Sequence, residues 1–140
     1  MHFDRSVLDD ACQRLGVRLL VLFGSHAPGG LTPGEESDVD VAVALRRDVA
    51  RPSWFELHGQ LATAFPGRPV DAVFIADADP LFRWEIMQHG VLLFGDVDEF
   101  LELRAFAYRD FVDSADLRAL EQRLFEKKMT LIAETLDGPT

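Results

Sequence analysis

The sequence predicts an α/β (α+β) fold with a mixed β-sheet, flanking helices and a C-terminal helical tail. Two observations predict it: apolar runs of strand length alternate with helical patterns up to about residue 97, and beyond that point every pattern is helical. The length of 140 residues suits one compact domain with one core. We expect residues 1–97 to form the sheet-containing part and residues 98–140 the tail packed on it.

The first half of the chain predicts one helix and two strands. Apolar spacings of three and four predict a helix from about Asp4 to Leu15, and Gly16 is a typical helix stop. The run VRLLVLF predicts a buried strand, and DVDVAVAL predicts a second one. The loop between them contains two prolines and three glycines from Pro28 to Glu36, so neither strand can continue through it.

The second half predicts two capped helices and two further strands. Ser53 and Glu56 have capping-box spacing before WFELHGQLATAF. Asp79 and Pro80 supply an N-cap and a first position for the helix PLFRWEIMQH, which Gly90 closes. The run VDAVFI between the helices predicts a third strand, and VLLF after them predicts a short fourth strand.

The tail is predicted to be helical from residue 99 to about residue 136, with an interruption near Asp113 and Ser114. We expect most of its apolar side chains to pack on the sheet and some to face a partner helix. These side chains are Phe100, Phe106, Tyr108, Phe111, Leu117, Leu120, Leu124 and Phe125.

Composition excludes several classes of function. The formal net charge of -10 argues against direct binding to nucleic acid, which depends on neutralising phosphates with basic side chains. No segment has the roughly 20 apolar residues of a membrane helix, and the amino terminus does not resemble a signal peptide, so we expect a soluble, cytoplasmic protein. Cys12 cannot form an internal disulfide and is predicted to lie in the core.

Two carboxylates interrupt the second strand. Residues two apart on a strand share a face, so Asp38 and Asp40 lie side by side while the valines fill the other face. Like charges this close favour a positive partner, and Mg²⁺ is often held by one or two carboxylates together with substrate phosphates. The alternative is a solvated strand edge.

Two neighbouring features strengthen the metal interpretation. Gly24 and Ser25 follow a buried strand, where backbone amides and a hydroxyl can bind phosphate, although the pair also suits a plain turn. Asp71 begins the third strand, and it reaches the same face if that strand lies beside DVDVAV. Three carboxylates can hold one or two metal ions, and Asp71 is then a plausible general base. The alternative for Asp71 is the cap of a turn.

The motifs GSHAPGG, SDVDVAV and VDAVF together resemble the nucleotidyltransferase superfamily signature. The segments PLFRWEIMQHGVLLF and RAFAYRDFVD are similar to one branch of it, the minimal nucleotidyltransferase (MNT) antitoxins of type VII toxin–antitoxin systems, which pair with HEPN ribonuclease toxins. The resemblance implies Mg²⁺-dependent transfer of AMP from ATP to a tyrosine of the toxin. It implies nucleotide binding by Gly24, Ser25 and Ser37, and it implies a catalytic, metal-binding triad of Asp38, Asp40 and Asp71.

The chain departs from the family pattern at Pro28, where an Arg is usual. Arg46 or Arg47 could replace that charge, or both could be solvated strand-end residues. Arg83 and His89 match the Arg-to-His interval of HEPN ribonucleases, but His89 precedes a glycine and a strand, so we interpret it as a helix end.

The sequence is compatible with three functions. The first is a protein adenylyltransferase that acts as an antitoxin, and it could form a homo-oligomer or a hetero-oligomer with its HEPN toxin. The second is an antitoxin that acts by binding only. The third is a small-molecule nucleotidyltransferase, which is disfavoured because such enzymes generally carry a larger acceptor domain.

Overall fold

The computed structural model describes residues 2–24 and 38–137. Five α-helices and four strands make up this part of the chain. The helices are α1 (Arg5–Leu15), α2 (Trp54–Ala62), α3 (Pro80–His89), α4 (Val97–Asp113) and α5 (Ala115–Leu136). The strands are β1 (Val17–Phe23), β2 (Val39–Leu45), β3 (Val70–Phe74) and β4 (Val91–Phe94).

The four strands form one mixed sheet in the order β3-β2-β1-β4. Strand β1 is antiparallel to both of its neighbours, whereas β2 and β3 are parallel. The parallel pair is joined by α2, as a crossover requires. The predicted mixed α/β sheet is therefore confirmed.

Each face of the sheet is covered by two helices. On β2, Val39, Val41 and Val43 point into a core shared with α1 and α2. The alternate residues Ala42 and Ala44 face a second core formed with α3 and α4. Because strand side chains alternate, a polar residue at position 40 belongs to the α3–α4 side.

The helices α1, α2 and α3 begin at the capping residues that the sequence predicts, and α1 also ends at its predicted glycine. The Asp4 side chain accepts a hydrogen bond from the Val7 amide, and Gly16 closes α1 in the left-handed conformation with φ 76°. Ser53 accepts from the Glu56 amide at 3.1 Å. Asp79 caps α3 in the same way, because its carboxylate accepts from the Phe82 amide at 2.8 Å.

Cys12 lies in the first core with no exposed surface, as predicted. Burial, with a smaller contribution from the nearby Asp9 carboxylate, raises the pKa of the Cys12 thiol to about 12. The thiol is therefore a core group and a poor nucleophile.

The tail differs from the prediction. It breaks at Ser114 as expected, and α4 packs on the sheet through Phe100 and Ala107. Helix α5 buries none of its residues, so the expectation that most apolar tail residues pack on the sheet was wrong. The reason is that α3 and α4 already cover this face. The division at residue 97 remains a proposal. No helix within the described ranges is long and apolar enough to span a membrane.

Candidate active site

The two aspartates of the sheet are direct neighbours. Asp40 on β2 is the register partner of Asp71 on β3, in a parallel pair whose backbones are separated by about 4.8 Å. Both residues alternate with side chains that point to the α1–α2 core, so both carboxylates project to the opposite side of the sheet. The sequence-based condition for a shared site, adjacency of the two strands, is fulfilled.

Gly24 borders the Asp40 carboxylate. The preceding residue, Phe23, is the register partner of Asp40 across the antiparallel pair. Gly24 has φ +76°, and a β-carbon built on it would lie 2.3 Å from the Asp40 Oδ2 atom. Glycine is required here both for the backbone conformation and for the space that the carboxylate occupies.

The other predicted residues are less fully described. Asp38 is exposed and directly precedes β2, two residues from Asp40. Ser25 and Ser37, together with His26 and Pro28, lie outside the described residues.

An aromatic pair closes one side of the site. The Phe23 ring meets the Phe82 ring edge-on, with 5.9 Å between their centroids. Phe82 belongs to the first turn of α3 and is 37% exposed. The acidic edge of the sheet therefore continues into an apolar wall that leads toward α3.

His58 on α2 is a contact of Asp71 that the sequence analysis missed. Among the described residues, His58 is the one polar residue that is buried, and it is 9% exposed. Its Nε2 atom accepts a hydrogen bond from the Ala72 amide at 3.0 Å and lies 3.9 Å from Asp71 Oδ1. The signal that could have revealed it is a histidine between Leu57 and Leu61 on the apolar side of a short helix.

The carboxylates present here fit a metal ion that takes part of its ligands from the protein and the rest from a nucleotide. Among residues 2–24 and 38–137, no group of three or more His, Cys, Asp or Glu side chains is close enough to hold a metal ion. Asp40 and Asp71 supply hard oxygen ligands on adjacent strands, and the Gly24 backbone leaves room beside them. Mg²⁺ is usually held in this way, by one or two carboxylates completed by phosphates and water.

Arg46 and Arg47 are exposed residues just after β2, in agreement with the interpretation as solvated strand-end residues. Leu45, just before them, pairs with Val17 at the start of β1, whereas the acids lie beside the end of β1. Arg46 lies six positions after Asp40 along β2 and its end, which amounts to roughly 20 Å. Neither guanidinium can therefore replace the usual loop Arg.

A different arginine lies at the acidic end of the sheet. Arg68 comes two residues before β3, and its Nη1 atom is buried without a hydrogen-bond partner among the described residues. The end of the sheet that carries the acids therefore also carries a basic residue, whereas Arg46 and Arg47 lie at the other end.

The Arg83 and His89 pair belongs to the structure of α3. Arg83 donates to the carbonyls of Ile75 and Ala78 and pairs with Asp110 at 3.1 Å. These bonds fasten α3 to α4, so Arg83 is a structural residue. His89 is the last residue of α3, as interpreted from the sequence.

A mixed sheet with aspartates in register on adjacent parallel strands, beside a glycine that ends the preceding strand, defines a nucleotidyltransferase-type fold. Residues 8–99 match the model of the family described as Polymerase beta, Nucleotidyltransferase, and the chain belongs to that family. No curated protein matches the chain.

Solved structures with the same fold come from toxin–antitoxin complexes. A chain of a toxin–antitoxin structure with AMP-PNP matches with a TM-score of 0.69 and 22% identity, over 90% of this chain and 98% of the other. A chain of the MntA-HepT complex matches with a TM-score of 0.60 and 20% identity, over 86% and 92%. A third comes from a complex of tri-AMPylated Shewanella oneidensis HEPN toxin with MNT antitoxin, with a TM-score of 0.58 and 20% identity, over 90% and 99%.

Proposed function

We propose that this protein is a cytoplasmic MNT antitoxin that transfers AMP from ATP to a tyrosine of a cognate HEPN ribonuclease toxin and thereby neutralises it. The observation that carries the proposal is the register pairing of Asp40 with Asp71 beside Gly24. Support also comes from the nucleotidyltransferase family and from the fold shared with chains of toxin–antitoxin complexes.

In the proposed site, Asp40 and Asp71 would hold two Mg²⁺ ions together with Asp38, which precedes β2, and the phosphate oxygens of ATP would complete the coordination. Bound Mg²⁺ would neutralise charge on the triphosphate and stabilise the leaving pyrophosphate. Gly24, with Ser25 and Ser37, would bind the triphosphate through backbone amides and hydroxyls.

Asp71 is the proposed general base of this reaction. Its side chain is 59% exposed, so an incoming hydroxyl group can reach it. The tyrosine oxygen attacks the α-phosphorus of ATP, and the bond from that phosphorus to the β-phosphate oxygen breaks. The phenolic proton passes to the Asp71 carboxylate, and pyrophosphate leaves.

Helix α5 favours a protein acceptor over a small molecule. Eight large apolar side chains of α5 are exposed, and none is buried. A cavity of about 230 Å³ lies between α5 and the start of α3, lined by Leu81 and Leu117 among others. Leu81 precedes Phe82, which packs on Phe23 beside the acids, so an apolar surface leads from the site onto the helix.

We assign this α5 surface to the HEPN toxin. The likeness to chains from toxin–antitoxin complexes supports this occupant. The formal charge of -10 would also complement a basic toxin surface and speed association.

The test is to incubate the purified protein with ATP, Mg²⁺ and the HEPN-domain protein encoded beside it. The proposal expects a mass gain of one or more AMP groups on a toxin tyrosine and loss of ribonuclease activity. The Asp38→Ala/Asp40→Ala variant should give neither. A stable, inactive complex without any mass gain would instead establish neutralisation by binding alone.

A further inference from the structure

We propose that His58 is a positioning residue for Asp71, which fixes the strand that carries this carboxylate without contributing a positive charge to it. The inference rests on the proposed function, because it concerns the geometry of Asp71 toward a metal–nucleotide complex.

Both nitrogens of His58 have defined roles. The Nδ1 atom lies 2.9 Å from the Trp54 carbonyl oxygen, which can only accept, so Nδ1 carries the proton. The Nε2 atom lies 3.0 Å from the Ala72 amide, which can only donate, so Nε2 is an acceptor. The ring is therefore the neutral Nδ1–H tautomer.

This tautomer changes the meaning of the contact with Asp71. The Nε2 atom lies 3.9 Å from Asp71 Oδ1, within the range of an ion pair. A neutral ring gives no ionic attraction, so His58 leaves the negative charge of Asp71 available to a cation. A lysine or arginine at this position would compete with that cation.

The hydrogen bond to Ala72 fixes the edge of the sheet. Strand β3 is an edge strand, and its pairing with β2 satisfies only one side. Ala72 is buried, so its outward amide requires a partner, which His58 supplies. Asp71 is the adjacent residue, and its position opposite Asp40 depends on this strand staying in register.

The ring itself is held in place from a further side. Trp54 stacks on His58 with 4.0 Å between the ring centroids and 25° between the planes. His58 belongs to the buried side of α2, together with Leu57 and Leu61. An imidazole with two hydrogen bonds and a stacked indole has little freedom, as expected of a group that positions another one.

The test compares His58→Leu, which has similar volume but no acceptor, with His58→Gln, whose Oε1 can accept from the Ala72 amide. One measurement is the affinity for Mn²⁺ in the presence of a non-hydrolysable ATP analogue, corrected for the unfolded fraction from denaturant titration. Loss of a group that orients a metal ligand typically lowers affinity about 10- to 100-fold. We expect such a loss for His58→Leu and recovery to within about threefold for His58→Gln.

A second measurement, hydrogen exchange of backbone amides, separates this inference from the proposed function. The Ala72 and Asp71 amides should exchange at least about tenfold faster in His58→Leu than in the wild type, whereas the central-strand Ala42 amide should be unchanged. Equal Mn²⁺–nucleotide affinity in the wild type and both variants would overturn the positioning role. If the wild type bound no nucleotide, the proposed function would fail. Independently of that result, unaltered exchange of the Asp71 amide in His58→Leu would overturn the role of His58.

Discussion

Asp40 and Asp71 are register partners on the parallel strands β2 and β3, although 31 positions separate them in the sequence. Their carboxylates share the sheet face that Gly24 borders. Carboxylates on adjacent strands of one sheet face supply the hard oxygen ligands that Mg²⁺ prefers. The candidate active site is built on this relationship.

Replacing Asp40 tests that site directly. Asp40→Asn should lower Mn²⁺-dependent nucleotide affinity and AMP transfer on the order of 100-fold or more, because a charged oxygen ligand is lost. Asp48→Asn, in the exposed turn at the other end of β2, is the matched control. Normal transfer by Asp40→Asn would refute the assignment.

Gly24 has a control with the same backbone conformation. Gly24→Ala and Gly67→Ala both place a side chain at positive φ, +76° and +75°, and each should lose about 1–2 kcal/mol of unfolding free energy. Of these two β-carbons only the one at position 24 meets Asp40, because no atom of the described residues lies within 4 Å of the one at position 67. Calorimetric titration should therefore show weaker metal–nucleotide binding for Gly24→Ala alone. Equal binding by the two variants would argue against a role of this glycine in the site.

Arg83 is expected to matter for stability. Arg83→Met removes the ion pair with Asp110 and three hydrogen bonds to backbone carbonyls. The side chains of Arg83 and Asp110 are 15% and 33% exposed. We expect a loss of about 2–4 kcal/mol in urea unfolding, because Asp110 keeps its charge without its partner. Arg109→Met, at a neighbouring exposed position of α4, should change stability by less than about 0.5 kcal/mol. Similar values for both variants would contradict the structural role.

Substitutions in the exposed surface of α5 are expected to weaken binding of the toxin and to leave folding unchanged. Leu120→Glu/Leu124→Glu should abolish complex formation with the HEPN toxin and AMP transfer to it, while nucleotide binding persists. Both leucines are exposed, so stability should change by no more than about 1 kcal/mol. Ala119→Glu/Thr130→Glu adds the same charge on the opposite side of the helix and should bind normally.

Light scattering of the protein alone distinguishes the two candidate occupants of the α5 surface, the HEPN toxin and a second copy of the chain. A dimer that dissociates in Leu120→Glu/Leu124→Glu would identify a second copy of the chain, and the toxin assignment would be wrong. A monomer that binds the toxin only with an intact α5 supports it.

Cys12 predicts a pH dependence above neutrality. Its thiol has a pKa near 12 in the folded protein against the ordinary value of 9.0, so the unfolded chain loses the proton first as the pH rises. The stabilisation is complete below pH 9 and should decline by up to about 1.4 kcal/mol per pH unit between pH 9 and pH 12. Denaturant unfolding of Cys12→Ala over this range should lack that part of the slope. Parallel curves for the two proteins would disprove the prediction.

Features set by neighbouring residues could be predicted from the sequence. The helix stop at Gly16 and the caps at Ser53 and Asp79 depend on bonds within a few residues, and each occurs where its pattern indicates. The side of the sheet on which Asp40 lies follows from the two-residue period of a strand. The sequence by itself thus determined the elements, their order and the acids from which the site is built.

The tertiary structure decided which elements meet. Strand order placed Asp71 opposite Asp40 and left Arg46 at the far end of the sheet. The crossover helix brought His58 to the β3 edge, and the covered second face of the sheet left α5 exposed. Such contacts depend on pairing and packing between segments far apart in the chain. Local periodicity carries no information about that pairing, because the same pattern fits either neighbour in a sheet.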